Sequence, residues 1–304
     1  MAPRLITTDT RTLLVRQTRH SFVREIDFTM SPYSGCAFQC GGGTKGDQGY
    51  CYVPDLLYGR AERLGGWGNY VEIRRRAADV LAASAERLRG ATLFMSATTD
   101  PYQPVEAEFR LTRALLETIL RKPLAIKWLL ISTRSPLVLR DVDLLQEFGA
   151  RVEVGISIPS DREDVRRTVD PRNPPARRRM EALRALRSAG IPVRLQVSPM
   201  MPSTEDFPRA ASDSADWTWI DWLAHGRAGG RALFEAMGWQ EWLVADHVSA
   251  RAETWRETLG PARLGVGRPW FAARWDGNRA VRWLGDAPES DVVDNDHYAQ
   301  GPAR

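Results

Sequence analysis

Only three cysteines occur among the 304 residues, Cys36, Cys40 and Cys51, and all lie within one sixteen-residue stretch. An odd number of thiols so close together excludes a disulfide framework and suits metal binding better. Histidine is also scarce, at four residues, and no His-x3-His pair stands near the thiols to complete a zinc site. Long apolar runs are absent, and nothing approaches the roughly eighteen residues needed to span a bilayer. The first twenty residues lack an uninterrupted apolar core and a small-residue cleavage site, so no signal peptide is expected and the cytoplasm is the expected compartment. No low-complexity linker divides the chain. Strong charge of one sign is missing too, because the formal net charge is only +4. The short clusters Arg74 to Arg76 and Arg177 to Arg179 read as solvated helix faces, and no basic stripe interleaved with aromatics marks a nucleic-acid surface.

What is present is ordinary for a globular protein: 43% hydrophobic and 26% charged residues in a chain long enough for one large α/β domain or two smaller ones. Four β-branched apolar runs stand out, at 92–97, 126–133, 152–158 and 193–200, and two more are plausible strands, 24–30 and 241–248. Stretches with apolar residues at helical spacing separate them, at 69–90, 105–122 and 176–190, with a further helical region beginning near Asp216. Gly90 and Gly190 sit where left-handed caps are expected. A β–α alternation repeated about six times predicts an α/β fold, a partial (β/α)6 TIM-type barrel, with a flat doubly wound sheet as the structural alternative. Asp276-Gly277 between aromatic runs predicts a hairpin, and residues 286–304 read as a loose tail. The expected division is a barrel with an N-terminal extension over 1–249 and a C-terminal appendage over 250–304.

In such barrels functional groups gather at the C-terminal ends of the strands. The expected ends carry the cysteine loop, residues 96–106, 132–135, 155–159 and 197–206, and Asp246-His247, and nearly all are polar. Asp246 and His247 are therefore candidate acid–base groups on the substrate side, with a simple hydrogen-bonded strand-end pair as the alternative. Three thiolates leave several metal sites open. Zinc needs a fourth ligand, for which His20 is a candidate. A [4Fe–4S] cluster normally takes four thiolates, so three leave one iron open to another ligand.

The segment "SPYSGCAFQC…GYCYVPDLLYG" resembles the cluster loop of radical S-adenosylmethionine (SAM) enzymes, in particular the spore photoproduct lyase-like branch. Further matches follow in order: "TTDPYQPVEAEFRLTRALLE", "STRSPLVLRDVDLL", "GISIPSDREDVRRTVDPRNPPARRRMEALRALRSAGIPV" and "SPMMPSTED". The resemblance spans roughly residues 24 to 206. It implies that Cys36, Cys40 and Cys51 bind three irons of a [4Fe–4S] cluster whose fourth iron chelates S-adenosylmethionine. It implies further that Tyr50 packs near the adenine, that Thr98, Thr99 and Asp100 hold the methionine moiety, that Arg134 faces the cofactor carboxylate, and that Ser157 contacts the cofactor. Arg179 recurs in the branch, with a local ion pair as its alternative role. The implied activity is abstraction of a substrate hydrogen by a 5′-deoxyadenosyl radical, with an external electron donor such as flavodoxin or ferredoxin.

Two departures from the branch matter. The family leaves two residues between the second and third cysteines, whereas this chain leaves ten. The extra "GGGTKGDQ" is expected to loop out passively; the alternative is that Lys45 or Asp47 reaches the reaction site. In addition, no fourth cysteine is present to return hydrogen to a product radical, as the branch's repair enzymes do. The expected substrate is therefore a small or nucleoside-like molecule. A nucleic-acid repair lyase is the runner-up, and a non-catalytic metal-binding interaction protein the reading from another class. The tryptophans that follow residue 206, among them Trp219, Trp222, Trp239 and Trp242, are expected to pack in the core.

Overall fold

Thirteen strands are found among the residues described by the computed structural model, which are 2–18, 26–42, 49–57, 59–95, 97–121, 124–222 and 228–282. They are β1 (Arg4–Asp9), β2 (Leu14–Arg16), β3 (Phe28–Met30), β4 (Tyr33–Ser34), β5 (Tyr70–Arg75), β6 (Thr92–Met95), β7 (Trp128–Thr133), β8 (Val152–Ser157), β9 (Val193–Val197), β10 (Trp217–Ile220), β11 (Leu264–Val266), β12 (Arg274–Trp275) and β13 (Ala280–Val281). The main sheet has the order β11-β10-β9-β8-β7-β6-β3-β2. All its pairings are parallel except the edge pair β2–β3. From β3 onward each strand lies beside the next parallel strand of the sheet. A doubly wound sheet would reverse its order part-way, so the arrangement is that of a partial TIM-type barrel, as expected. A separate sheet, β1-β5-β4, flanks the cysteine loop.

The barrel gains a strand and exchanges one relative to expectation. Residues 241–248 are not a strand; they form a 3-10 turn over Gln240–Leu243 and the first turn of helix Ala245–Leu259. The buried residues of that helix, Val248, Ala252, Trp255 and Leu259, fall at spacings of three and four, so its apolar content belongs to a helix face. The sixth parallel strand is instead β10, within the stretch read as helical from Asp216. Its four residues are all buried and too few to display a period. β11 adds a seventh. Likewise, 69–90 is not one helix: β5 occupies its start because Val71 and Ile73 pair with β1, and helices Ala77–Ala82 and Ala85–Leu88 follow. Gly90 (φ +69°) and Gly190 (φ +77°) adopt the left-handed conformation foreseen for them.

The expected division at 249/250 falls inside helix Ala245–Leu259, and the described residues that follow pack against the barrel. On β7, Leu129 and Ile131 face the helices, whereas Trp128 and Leu130 pack into a second cluster with Phe94, Trp217, Trp219, Phe271, Ala272 and Ala273. That second cluster lines the barrel interior, so the segment after β11 plugs the lumen. Phe271 meets Phe94 and Trp219 edge-on, each at 5.1 Å between ring centres. Beneath it, Arg194 on β9 and Glu153 on β8 form a fully buried ion pair at 3.4 Å. Glu153 also accepts from Trp217 Nε1 and the Trp275 amide, and Arg194 donates to the Phe271 carbonyl at 2.6 Å. The Asp276-Gly277 hairpin forms as predicted between β12 and β13. The tail 286–304, His20, Lys45 and Asp47 lie outside the described residues.

Candidate active site

β3 ends at Met30 and delivers the cysteine loop to the C-terminal mouth of the barrel. The first half of the loop is held by the turn that follows β6. Gln103, fully buried, accepts from the Ala37 amide at 2.9 Å and donates to Thr99 Oγ1 at 2.9 Å; Thr99 in turn donates to the Gly35 carbonyl at 2.5 Å. Thr98 pairs with Ser31 at 3.3 Å. Asp100 ties this turn to the end of β7, accepting from Thr133 Oγ1 and the Arg134 amide at 2.7 Å each and from the Tyr102 amide at 2.8 Å. Cys36 is buried, while Cys40 and Cys51 are partly exposed. Burial pushes the Cys36 thiol far up, and neighbouring Cys40 and Asp100 push the same way. A thiol in this setting ionises only with a cation to compensate it.

The long gap between Cys40 and Cys51 closes on itself. Gly41 has φ +78°, and a Cβ built on it would stand 2.5 Å from the Tyr50 nitrogen and 2.9 Å from the Gly49 Cα. The chain therefore leaves at Gly42 and returns at Gly49 against its own departure point. With residues 42–49 set aside, Cys40, Gly41, Tyr50 and Cys51 are consecutive, and the cysteines stand two residues apart.

One carboxylate sits at that junction. Asp170 Oδ1 accepts from the Gly41 amide at 2.9 Å, and its Oδ2 accepts from Tyr50 OH at 2.7 Å and Arg134 Nη1 at 3.2 Å. The Arg134 guanidinium lies 5.6 Å from the Tyr50 ring centre. Burial alone would lower its pKa, but the acidic groups around it, with Asp170 in direct contact, offset burial and keep it charged. Three residues on, Asn173 Nδ2 donates to Cys40 Sγ at 3.8 Å. Asp170, Asn173 and Gln103 were not singled out from the sequence. Their partners on the cysteine loop lie 66 to 133 residues away, and only the Pro-rich "DPRNPP" turn between two helical patterns hinted at a fixed conformation.

The structure joins Tyr50, Asp100 and Arg134 to the loop in one network, with Thr98 and Thr99 on its flank. Ser157 ends β8, and its carbonyl accepts from Arg179 Nη1 at 2.6 Å. Arg179 is 1% exposed, and its guanidinium is pulled down to about 10 by burial and the nearby Arg134 charge. No ion pair within 4.0 Å involves it among the described residues, so the local ion-pair role does not hold. Asp246 and His247 occupy the first turn of helix Ala245–Leu259, with Asp246 exposed and the His247 ring against Trp242 at 4.9 Å. The argument that put them at a strand end fails because the strand is β10. The residue at that end is Asp221, whose amide extends the ladder to the Val197 carbonyl at 3.0 Å. Trp217 and Trp219 face the lumen, so alternation puts Asp221 on the same face at the mouth. Burial pushes its carboxyl up to about 7, opposed by the Trp222 amide and by Arg268 after β11.

The radical SAM superfamily model matches residues 30–212, more than half of the chain. This chain belongs to the radical SAM superfamily. It is an enzyme, and the cofactors of its family are a [4Fe–4S] cluster and S-adenosylmethionine. It is 28% identical to the uncharacterized protein MJ0683 of Methanocaldococcus jannaschii over 63% of this chain and 67% of that one. It is 35% identical to the uncharacterized protein ORF301 of Acidianus two-tailed virus, covering 50% of this chain and 52% of the other. Among solved structures, a spore photoproduct lyase variant with bound AdoMet and dinucleoside spore photoproduct superimposes with a TM-score of 0.57 at 15% identity. The match covers 87% of this chain and 81% of that one, and it shows a shared fold.

The residues at the mouth fit these cofactors. Two buried polar atoms beside the loop, Asn173 Oδ1 and Arg179 Nε, have no hydrogen-bond partner among the described residues. With three thiols and the Arg134 guanidinium, they supply donors and an acceptor for polar, negatively charged groups. Among the described residues no three or more His, Cys, Asp or Glu side chains converge as the ligands of a single ion would. Cluster thiolates each bind a different iron and need no such convergence.

Proposed function

We propose that this radical SAM enzyme binds its cluster through Cys36, Cys40 and Cys51 and abstracts hydrogen from a small or nucleoside-like substrate at the barrel mouth. The observation that carries the reading is the contact of Gly41 with Gly49 and Tyr50, which returns Cys51 to the two-residue register of the family's loop. When bound, the cluster and S-adenosylmethionine supply the 5′-deoxyadenosyl radical; everything else falls to this chain's residues. Arg134, charged and forked, suits the cofactor carboxylate through paired hydrogen bonds. Tyr50, fixed by Asp170, offers its ring beside the adenine, and Thr98, Thr99 and Asp100 border the methionine end. Ser157 is held at the end of β8 by Arg179. On the substrate side, Asp221 takes the place at the sixth strand end that the sequence had assigned to Asp246 and His247. With its pKa raised to about 7, its carboxyl is partly protonated near neutral pH, and the protonated form can donate a hydrogen bond to a substrate oxygen or nitrogen. The lumen beneath is closed by the Phe271 plug, so the substrate enters from the loop side. The electron donor is external, of the flavodoxin or ferredoxin type, and the working compartment is the cytoplasm.

Anaerobic reconstitution tests the reading. About four irons per chain and 5′-deoxyadenosine on reduction with S-adenosylmethionine are expected. Stoichiometric zinc without cleavage overturns it. Comparing consumption of small metabolites, nucleosides and damaged DNA then separates the substrate classes.

A further inference from the structure

We propose that Asp170 is a positioning residue that clamps the cluster loop shut across its insertion, so that Cys40 and Cys51 meet the cluster as a two-residue pair would. The inference rests on the reading of these cysteines as cluster ligands. In a two-residue spacing the covalent chain itself limits how far the thiolates can separate. Here ten residues intervene, five of them glycine, and the chain between imposes almost no limit. Something outside the loop must supply the restraint.

Asp170 is placed to do so. It is 3% exposed and holds one residue from each side of the insertion, the Gly41 amide after Cys40 and the Tyr50 hydroxyl before Cys51. Both are charge-assisted bonds to a single rigid group. The turn that carries Asp170 is itself fixed. Its amide caps helix Glu163–Val169 through the Arg166 carbonyl at 2.8 Å, and the Asn173 amide donates to its carbonyl at 3.0 Å. Arg166 Nη1 donates to the carbonyls of Asp170, Pro171 and Asn173. From the same turn Arg172 Nη1 reaches the Gly68 carbonyl at 2.7 Å, against which the loop packs through Gln39, and Asn173 reaches Cys40 Sγ. The turn therefore grips the loop at three places, and only Asp170 spans the insertion.

The test compares Asp170→Ala and Asp170→Asn with the parent protein, each in the full chain and in a chain lacking residues 42–49. After anaerobic reconstitution, iron release to a chelator is followed by absorbance, and hydrogen exchange is measured on the apoproteins. In the full chain Asp170→Ala should release iron roughly tenfold faster or more, with Asp170→Asn between, because two charge-assisted bonds are lost. Exchange at Gly41 should rise in the apoprotein while β7 to β9 stay protected. Joining Gly41 directly to Tyr50 should shrink the effect on iron release to roughly twofold or less, since the backbone then does the work of the clamp. A purely structural role for Asp170 would accelerate release equally in both chains, and that result overturns the proposal, as do unchanged release and exchange in the full chain. If the shortened chain does not fold, Tyr50→Phe decides instead: it must accelerate release, and less than additively with Asp170→Ala. Cys40→Ala is the separate control. Retention of the cluster there refutes the ligand reading, while the exchange result still judges the clamp.

Discussion

Removing residues 42–49 altogether is the sharpest challenge to the view that the insertion is a passive detour. Gly41 and Tyr50 already lie side by side: a Cβ built on Gly41 would stand 2.5 Å from the Tyr50 nitrogen, inside any non-bonded contact, so the gap to be joined is short. The Asp170 bonds to Gly41 and Tyr50 survive the deletion, because both residues remain. Closing a loop of eight residues costs about 2 kcal/mol of chain entropy, which the shortened protein no longer loses on folding. For a chain of this length that corresponds to a rise of about 3 °C in Tm. Calorimetry of the apoprotein and iron analysis after anaerobic reconstitution check both points, and 5′-deoxyadenosine formation checks the chemistry. Loss of the cluster would refute the closed-loop reasoning. A retained cluster with turnover abolished would show that Lys45 or Asp47 takes part in the reaction, and the passive reading would fall.

Changing Cys36, Cys40 or Cys51 to alanine should each abolish cluster retention and 5′-deoxyadenosine formation, measured by iron content and product analysis. Phe271→Ala should destabilise the whole barrel by about 3–5 kcal/mol, because it opens a cavity against Phe94 and Trp219; an unchanged urea midpoint would return residues 267–281 to the status of an appendage. Glu153→Ala should cost about 3–5 kcal/mol by leaving Arg194 buried without its counter-charge, read by the same titration. Asp221 makes a pH-dependent contribution. Its folded pKa, about 7, lies above the ordinary aspartate value, so the folded state binds the extra proton between about pH 4 and 7 and stability falls as pH rises through that window. Asp221→Asn should remove up to about 4 kcal/mol of that fall, seen as a flatter profile of urea midpoint against pH; identical profiles would refute it.

Local chemistry is what the sequence states most clearly. Three thiols within sixteen residues, at the end of an apolar run, suit a metal loop. The strands at 92–97, 126–133, 152–158 and 193–200 were legible because each is a β-branched run bounded by a helical pattern. β10 was not legible. Its residues Trp217 to Ile220 are buried on both faces, and a four-residue run without alternation has no period to read. The residues at 241–248 misled for the converse reason, since the apolar face of a helix and a short apolar strand look alike over eight positions. That single exchange moved the strand-end acid from Asp246 to Asp221.

The sequence by itself determined the direction and rough number of the β–α crossovers and the turn at Asp276-Gly277, because each depends on residues close together in the chain; the cofactor class came through the resemblance of its motifs to a family. Tertiary structure alone decided that the C-terminal segment fills the lumen, that Glu153 and Arg194 meet there, and that Asp170 joins Gly41 to Tyr50. These contacts bring together groups up to 177 residues apart, as Phe94 and Phe271 are. Neither composition nor periodicity carries the position of a partner so distant. It is set by the stacking of parallel strands, which turns residues remote in sequence into neighbours at one end of a barrel.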